Sequence, residues 1–154
     1  MTRAISAVAL SALMAGTSLM WAQTAQAEDA ETQNIDVSGN WGFMAEYGPY
    51  CSISGEALLI STDDPKKYDC ELTAHQVCDE EEVYRVRQSC SATRNNDQLL
   101  IQSKVEEFLH GEPTTGYRPD NFSLTILSND FMKGALHSYG LFKAEFRRSE
   151  SFTS

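Results

Sequence analysis

Four cysteines, three histidines and a run of four acids are the residues of this chain whose types and spacing bear on chemistry. Cys51, Cys70, Cys78 and Cys90 admit either metal coordination or crosslinking. Zinc sites draw their thiolates in close pairs such as Cys-x-x-Cys, and no two cysteines here stand that close. Two structural disulfides are therefore expected, with three pairings open on counting alone. His75, His110 and His137 fall in no His-Glu-x-x-His helix, and no Gly-x-Ser-x-Gly elbow, phosphate-cradling loop or dinucleotide fingerprint accompanies them. They are expected on strand or loop surfaces. The run Asp79-Glu80-Glu81-Glu82 could gather a hard cation through oxygen, but it lacks the alternating ligands and the glycine of a calcium loop. A solvated hairpin tip is the expected reading. An acid and base pair is defined by separation in space and by environment, which linear spacing does not supply. No catalytic residue, metal or cofactor is expected from these residues, and the protein is expected not to be an enzyme.

The chain opens with Arg3, an apolar run from Ala4 to Trp21, and Ala25-Gln26-Ala27 ahead of the acidic Glu28. This is the layout of a secretory signal peptide. Ser6, Ser11, Gly16, Thr17 and Ser18 interrupt the run, whereas a transmembrane helix needs about 20 strongly apolar residues. Residues 1–27 are expected to be cleaved after Ala27. No cysteine sits there to carry a lipid anchor, so a periplasmic or secreted protein without a membrane span is expected. Residues 28–36 are acidic and without apolar period, and read as a flexible lead-in. Residues 37–154 then form one domain, long enough to bury a core. The net charge is −10, and removing Arg3 with the leader makes it more negative. Such a field repels phosphate backbones, and Arg85, Arg87, Arg94, Arg147 and Arg148 are too few to reverse it. No nucleic acid partner is expected.

The elements that must position these residues are strands. No stretch holds a helical period through three turns, while short β-branched and aromatic runs alternate with turn clusters. Eight strands are predicted: Asn40 to Tyr47, Ser54 to Ser61, Lys67 to Gln76, Val83 to Thr93, Gln98 to Phe108, Asn121 to Leu127, Phe131 to Ser138 and Leu141 to Arg148. Between them lie Gly48-Pro49, Asp63-Asp64-Pro65, Asn95-Asn96-Asp97, residues 111–116, Ser128-Asn129-Asp130 and Tyr139-Gly140. Connections this short favour antiparallel neighbours. Alternation places Tyr68, Cys70, Leu72 and Ala74 on one face of the third strand, and Tyr84, Val86, Cys90 and Ala92 on the matching face of the fourth. With the hairpin tip at Asp79 to Glu82, Cys70 falls nearly opposite Cys90, which leaves Cys51 for Cys78. A small register slip would reverse that pairing. Eight sequential antiparallel strands bury their inner faces by closing into an up-and-down barrel, with a two-sheet β-sandwich as the alternative closure.

Gly39-Asn40-Trp41 resembles the Gly-x-Trp that opens the first strand of lipocalins and other calycin barrels. The resemblance implies that Trp41 closes the barrel bottom, and that Arg147 or Arg148 packs across it from the last strand. A core aromatic near a strand start accounts for Trp41 as well. The same glycine and tryptophan, with export and disulfides, are similar to those of small periplasmic inhibitors of metalloproteases. That resemblance implies a role for residues 28–36 in plugging a protein partner's cleft.

A calycin-like barrel has room for one small ligand where inward residues are small, as Ala74, Ala92, Gly134 and Ala144 are. Trp41, Tyr68, Tyr84, Phe122 and Met132 are the candidate ligand-lining residues, with plain core as the other reading of the same set. The loop 111–120, with Pro113, Tyr117 and Pro119, is the longest connection and the natural lid or partner contact. The expected function is a non-enzymatic binding protein of the bacterial cell envelope holding a small apolar or amphipathic ligand. The alternatives are a protease inhibitor or protein-interaction module, and an enzyme of unrecognised type.

Overall fold

The computed structural model of the protein describes residues 35–149. The predicted signal peptide and residues 28–34 of the acidic lead-in lie outside them. Eight strands follow one another without a helix among the described residues: β1 (Gly39–Tyr47), β2 (Cys51–Ser61), β3 (Lys67–Cys78), β4 (Glu81–Asn95), β5 (Gln98–His110), β6 (Asn121–Ile126), β7 (Phe131–His137) and β8 (Leu141–Arg148). Each pairs antiparallel with its neighbour in sequence, and β8 returns to β1 to close the barrel. Phe43 faces Phe146, and Trp41 faces Arg148, across that last seam. The closure removes the free edges that a sandwich would leave, so the sandwich alternative is set aside.

Strands β2 to β5 run longer than their local pattern suggested, because the turns between them are tighter. Asp79 and Glu80 both take left-handed backbone, with φ of 52° and 69°. A two-residue turn of that hand matches the twist of the flanking strands, so the ladder continues up to Cys78 and Glu81. The tip was expected to extend to Glu82, which instead lies in β4 and accepts two hydrogen bonds from the Arg85 guanidinium. Cys51 pairs with Cys78 and Cys70 with Cys90, in each case as direct cross-strand partners.

Inward positions fill the middle of the barrel. Phe43, Phe122 and Phe146 form an aromatic triad with ring centroids 4.9 to 5.3 Å apart. Outward positions carry Glu56, Glu71, Arg87, Lys104 and Lys133 in the open. A lipid-facing barrel band excludes such charges. No described helix is long and apolar enough to cross a membrane.

The end at which the chain enters and leaves is closed. Trp41 is fully buried and its indole N–H donates to the Val37 carbonyl at 2.9 Å. The Arg148 guanidinium lies 4.4 Å from the centre of the Trp41 ring and donates to the carbonyls of Ser38, Asp36 and Asn129. Arg147, the other basic candidate, sits over Phe131 instead. Gly39 has φ of +109°, and a Cβ there would stand 3.0 Å from Arg148 Nη1. The backbone therefore requires glycine at this position, and the guanidinium packs close against it. Packing also reaches into the segment expected as a lead-in: Ile35 is buried and its carbonyl accepts a hydrogen bond from Arg94.

Candidate functional site

The opposite end of the barrel is built differently. Its connections are residues 48–50, 79–80, 111–120 and 138–140, and aromatic and polar side chains join the aliphatic Ile53, Val86 and Leu136 at the inward positions below them. Gln76 on β3 and Gln88 on β4 occupy positions that strand alternation reserves for core, and both are buried. Tyr84 projects from β4, Phe108 from β5, Tyr47 from the end of β1 and Phe142 from the start of β8.

Loop 111–120 lies over this end. Gly111 starts it at φ of +85°, where a Cβ would come within 2.4 Å of the Val83 carbonyl oxygen. Within the loop, the Gly116 N–H donates to the Thr114 hydroxyl at 3.1 Å and the Tyr117 N–H to the Thr114 carbonyl at 3.4 Å. That turn precedes Tyr117, which is only 6% exposed. Its ring meets Tyr84 and Phe108 edge to face at 5.5 Å each and Tyr139 at 6.3 Å. Tyr47 continues the ring system to Tyr139 at 5.5 Å and to Phe142 at 4.8 Å. Tyr117 thus stops the mouth of the barrel.

Beneath it is a carboxyl group with no exposed surface. Asp120 Oδ2 accepts hydrogen bonds from the Tyr117 hydroxyl at 2.9 Å and the Gln88 amide at 2.6 Å. The Asp120 N–H donates to Gln88 Oε1 at 3.0 Å, and its carbonyl accepts from the Ser103 hydroxyl at 2.7 Å. Asp120 Oδ1 is buried without a hydrogen-bond partner, as is Gln76 Oε1, whose amide nitrogen contacts Cys78 Sγ at 3.7 Å. Burial raises the proton affinity of Asp120 above the ordinary aspartate value, while the Gln88, Tyr117 and Ser138 side chains act in the opposite sense. The Tyr117 hydroxyl is pushed far up by burial and by the neighbouring Asp120 charge. Burial also raises Tyr47 and Tyr139. These phenols stay neutral, so they offer O–H donors and uncharged ring faces.

The rim of the same mouth is apolar. Tyr50 is 73% exposed and Leu141 68%, with Val83, Leu109 and Tyr139 also in solvent. A concavity of about 250 Å³ is an open groove on the outer wall, lined by Gly42, Phe43, Met44, Glu145 and Arg147. It offers little beyond one exposed methionine and two charged side chains.

Of the candidate ligand-lining residues, only Tyr84 stands at this mouth. Trp41, Phe122 and Met132 are fully enclosed in the closed half and middle of the barrel, and Tyr68 is buried near its closed end. Ala74, Ala92 and Ala144 are buried as expected of small inward residues, whereas Gly134 is exposed. Sequence reading passed over Asp120, Gln88, Gln76 and Tyr47. The two glutamines left a readable signal, since each interrupts an apolar face at an inward position. Asp120 left none, because its burial depends on a loop folding back over the barrel. The histidines are surface groups. His75 Nδ1 lies 2.8 Å from Glu82 Oε1, His110 Nε2 lies 3.0 Å from the Glu82 carbonyl oxygen, and His137 Nε2 lies 2.8 Å from the exposed Ser123 hydroxyl. Among the described residues no cluster of three His, Cys, Asp or Glu side chains is arranged to hold a metal ion.

No protein-family model matches the chain, and no curated protein matches it. Among solved structures it is similar to a de novo designed fluorescence-activating β-barrel, with a TM-score of 0.55 and 14% identity over 77% of this chain and 98% of that one. It is also similar to a redesigned β-barrel, with a TM-score of 0.55 and 16% identity over 78% of this chain and 96% of the other. Both are designed proteins rather than calycins, and what the chain shares with them is the eight-stranded closed barrel.

Proposed function

We propose that the protein is an exported, non-enzymatic binding protein that takes a small amphipathic ligand at the mouth stopped by Tyr117. The observation that carries this reading is the pair of buried, unpartnered oxygens, Asp120 Oδ1 and Gln76 Oε1, within an aromatic mouth. Leaving a buried polar group unpaired costs about 1–3 kcal/mol, and a donor supplied by a ligand would recover that cost. The apolar rim offers a landing surface for the rest of the molecule. A design of this fold is described as fluorescence-activating; that description belongs to the design and supports the ligand reading through the fold alone. Export rests on the leader and on two disulfides, which persist in oxidising compartments. A calycin-like assignment rests on Gly39-Asn40-Trp41 with Arg148 across Trp41.

Native mass spectrometry of the protein purified from an exporting host tests this. An adduct seen under native conditions and lost on denaturation is expected, together with a mass beginning at Glu28. A bare protein that also ignores every added amphiphile, in wild type and in Tyr117→Ala alike, would sink the reading.

The exposed Tyr50 and Leu141 favour a second reading, in which the rim and loop 111–120 contact a protein partner, with residues 28–36 adding to the contact. Deleting residues 28–34 should then weaken partner capture while leaving small-ligand binding unchanged.

A further inference from the structure

We propose that the mouth selects cationic amphiphiles, seating an alkylammonium or arylammonium head against Asp120 among the tyrosine rings. This rests on the reading of the mouth as a ligand site and names the ligand's chemistry.

Both unpartnered groups are oxygens. An amide oxygen and a carboxylate oxygen accept hydrogen bonds and donate none, so the occupant that completes them must donate. An anionic head would add charge repulsion and leave both acceptors open. The groups that hydrogen-bond or oppose the burial of Asp120 are moreover all neutral: the Gln88 amide, the Tyr117, Ser103 and Ser138 hydroxyls, and main-chain groups. A fully buried carboxylate with no cationic partner is an uncompensated charge, which folds pair or neutralise. An ammonium N–H supplies both the counter-charge and the missing hydrogen bond.

The walls fit the same head. Tyr47, Tyr84, Tyr117 and Tyr139 bring phenol rings to one mouth, and ring faces attract ammonium groups, more strongly where water is excluded. A net charge of −10 raises the local concentration of cations before contact. Seating the head requires Tyr117 to give up its bond to Asp120 Oδ2, and the loop that carries it has glycine at positions 111 and 116. The tail then lies along the rim formed by Leu109, Leu141 and Tyr50.

The test uses the disulfide-bonded protein and three probes with one tail: octylammonium, octan-1-ol and octanoate, titrated calorimetrically at pH 7.5 and physiological salt. Octylammonium is expected to bind at least about tenfold more tightly than octan-1-ol, a difference the counter-charge and ring faces together can supply, with octanoate weakest. In Asp120→Asn the preference for octylammonium over octan-1-ol should collapse to within about twofold. Tyr139→Leu, at a partly exposed position, should reduce the preference about threefold if the rings contribute as ring faces do at exposed sites. Equal binding of octan-1-ol and octylammonium to wild type overturns the cation inference and leaves the ligand-binding reading standing. Failure of all three probes, with Tyr117→Ala as well as wild type, overturns both.

Discussion

Gln88 and Asp120 clasp each other by two reciprocal hydrogen bonds, amide nitrogen to carboxylate at 2.6 Å and main-chain N–H to amide oxygen at 3.0 Å, across 32 positions of sequence. A barrel-wall side chain thereby holds the end of the loop that stops the mouth. Gln88→Leu keeps the apolar volume and removes both bonds, leaving a buried carboxyl short of a donor. Unfolding free energy should fall by about 2 kcal/mol, and amide exchange in residues 111–120 should accelerate more than in β1 or β8. Uniform protection in the variant would mean that the clasp does not hold the loop.

Tyr117→Ala removes a buried ring from the mouth. Loss of a buried aromatic side chain costs about 3 kcal/mol in chemical denaturation. An apolar dye should bind the variant with higher fluorescence than wild type, because Tyr84, Phe108 and Tyr139 lose the ring that covers them. Dye binding unchanged from wild type would show that the mouth refills by collapse.

Two aspartates give opposite pH signatures. Burial raises Asp120 above its ordinary pKa of 3.8, so the folded protein holds that proton more tightly than the unfolded chain. Its unfavourable contribution should grow as pH rises from about 4 through the folded value and then level off. Asp36 is lowered, chiefly by hydrogen bonds from the Ser38 main chain and side chain. Its contribution is present above the ordinary value and is lost as pH falls through the folded one. Melting curves from pH 3 to 8 should show Asp120→Asn gaining on wild type toward neutrality, and Asp36→Asn losing. The reverse order would contradict both assignments.

The disulfides differ in access. Cys70 is 4% exposed inside the barrel, whereas the Cys51–Cys78 pair lies at the rim beside the turns of residues 48–50 and 79–80. Mild reductant followed by alkylation should label Cys51 and Cys78 first. Each crosslink closes a loop of 20 or 27 residues, so serine replacement of either pair should cost about 3 kcal/mol on the chain-entropy model. Simultaneous labelling of all four cysteines would argue for global unfolding as the route to reduction.

Arg148→Lys tests the closed end. The guanidinium serves three carbonyls and the Trp41 ring at once, which an ammonium cannot reproduce in that geometry. A loss of about 2 kcal/mol is expected for the abandoned charge-assisted bonds. Arg147→Lys, at an exposed pair with Glu145, should change stability little.

Local pattern by itself determined the eight strands and their antiparallel order, because alternation of side chains and tight turns act over neighbouring residues; it favoured Cys70 with Cys90 and Cys51 with Cys78, and the cross-strand register decided that pairing. The resemblance of Gly39-Asn40-Trp41 to a calycin opening implied a closed end, where Arg148 now lies over the Trp41 ring. What only the tertiary structure decided was which aromatic residues form a mouth and which form core. Trp41, Phe122 and Met132 obey the same alternation as Tyr84, and their different surroundings follow from closure of β8 onto β1. Asp120 reads in sequence as one more acid of a polar loop. It becomes a buried carboxyl because the chain folds back over the barrel and meets Gln88. Contacts of that range are set by the stagger of the whole barrel and the path of one loop, and no local period encodes either.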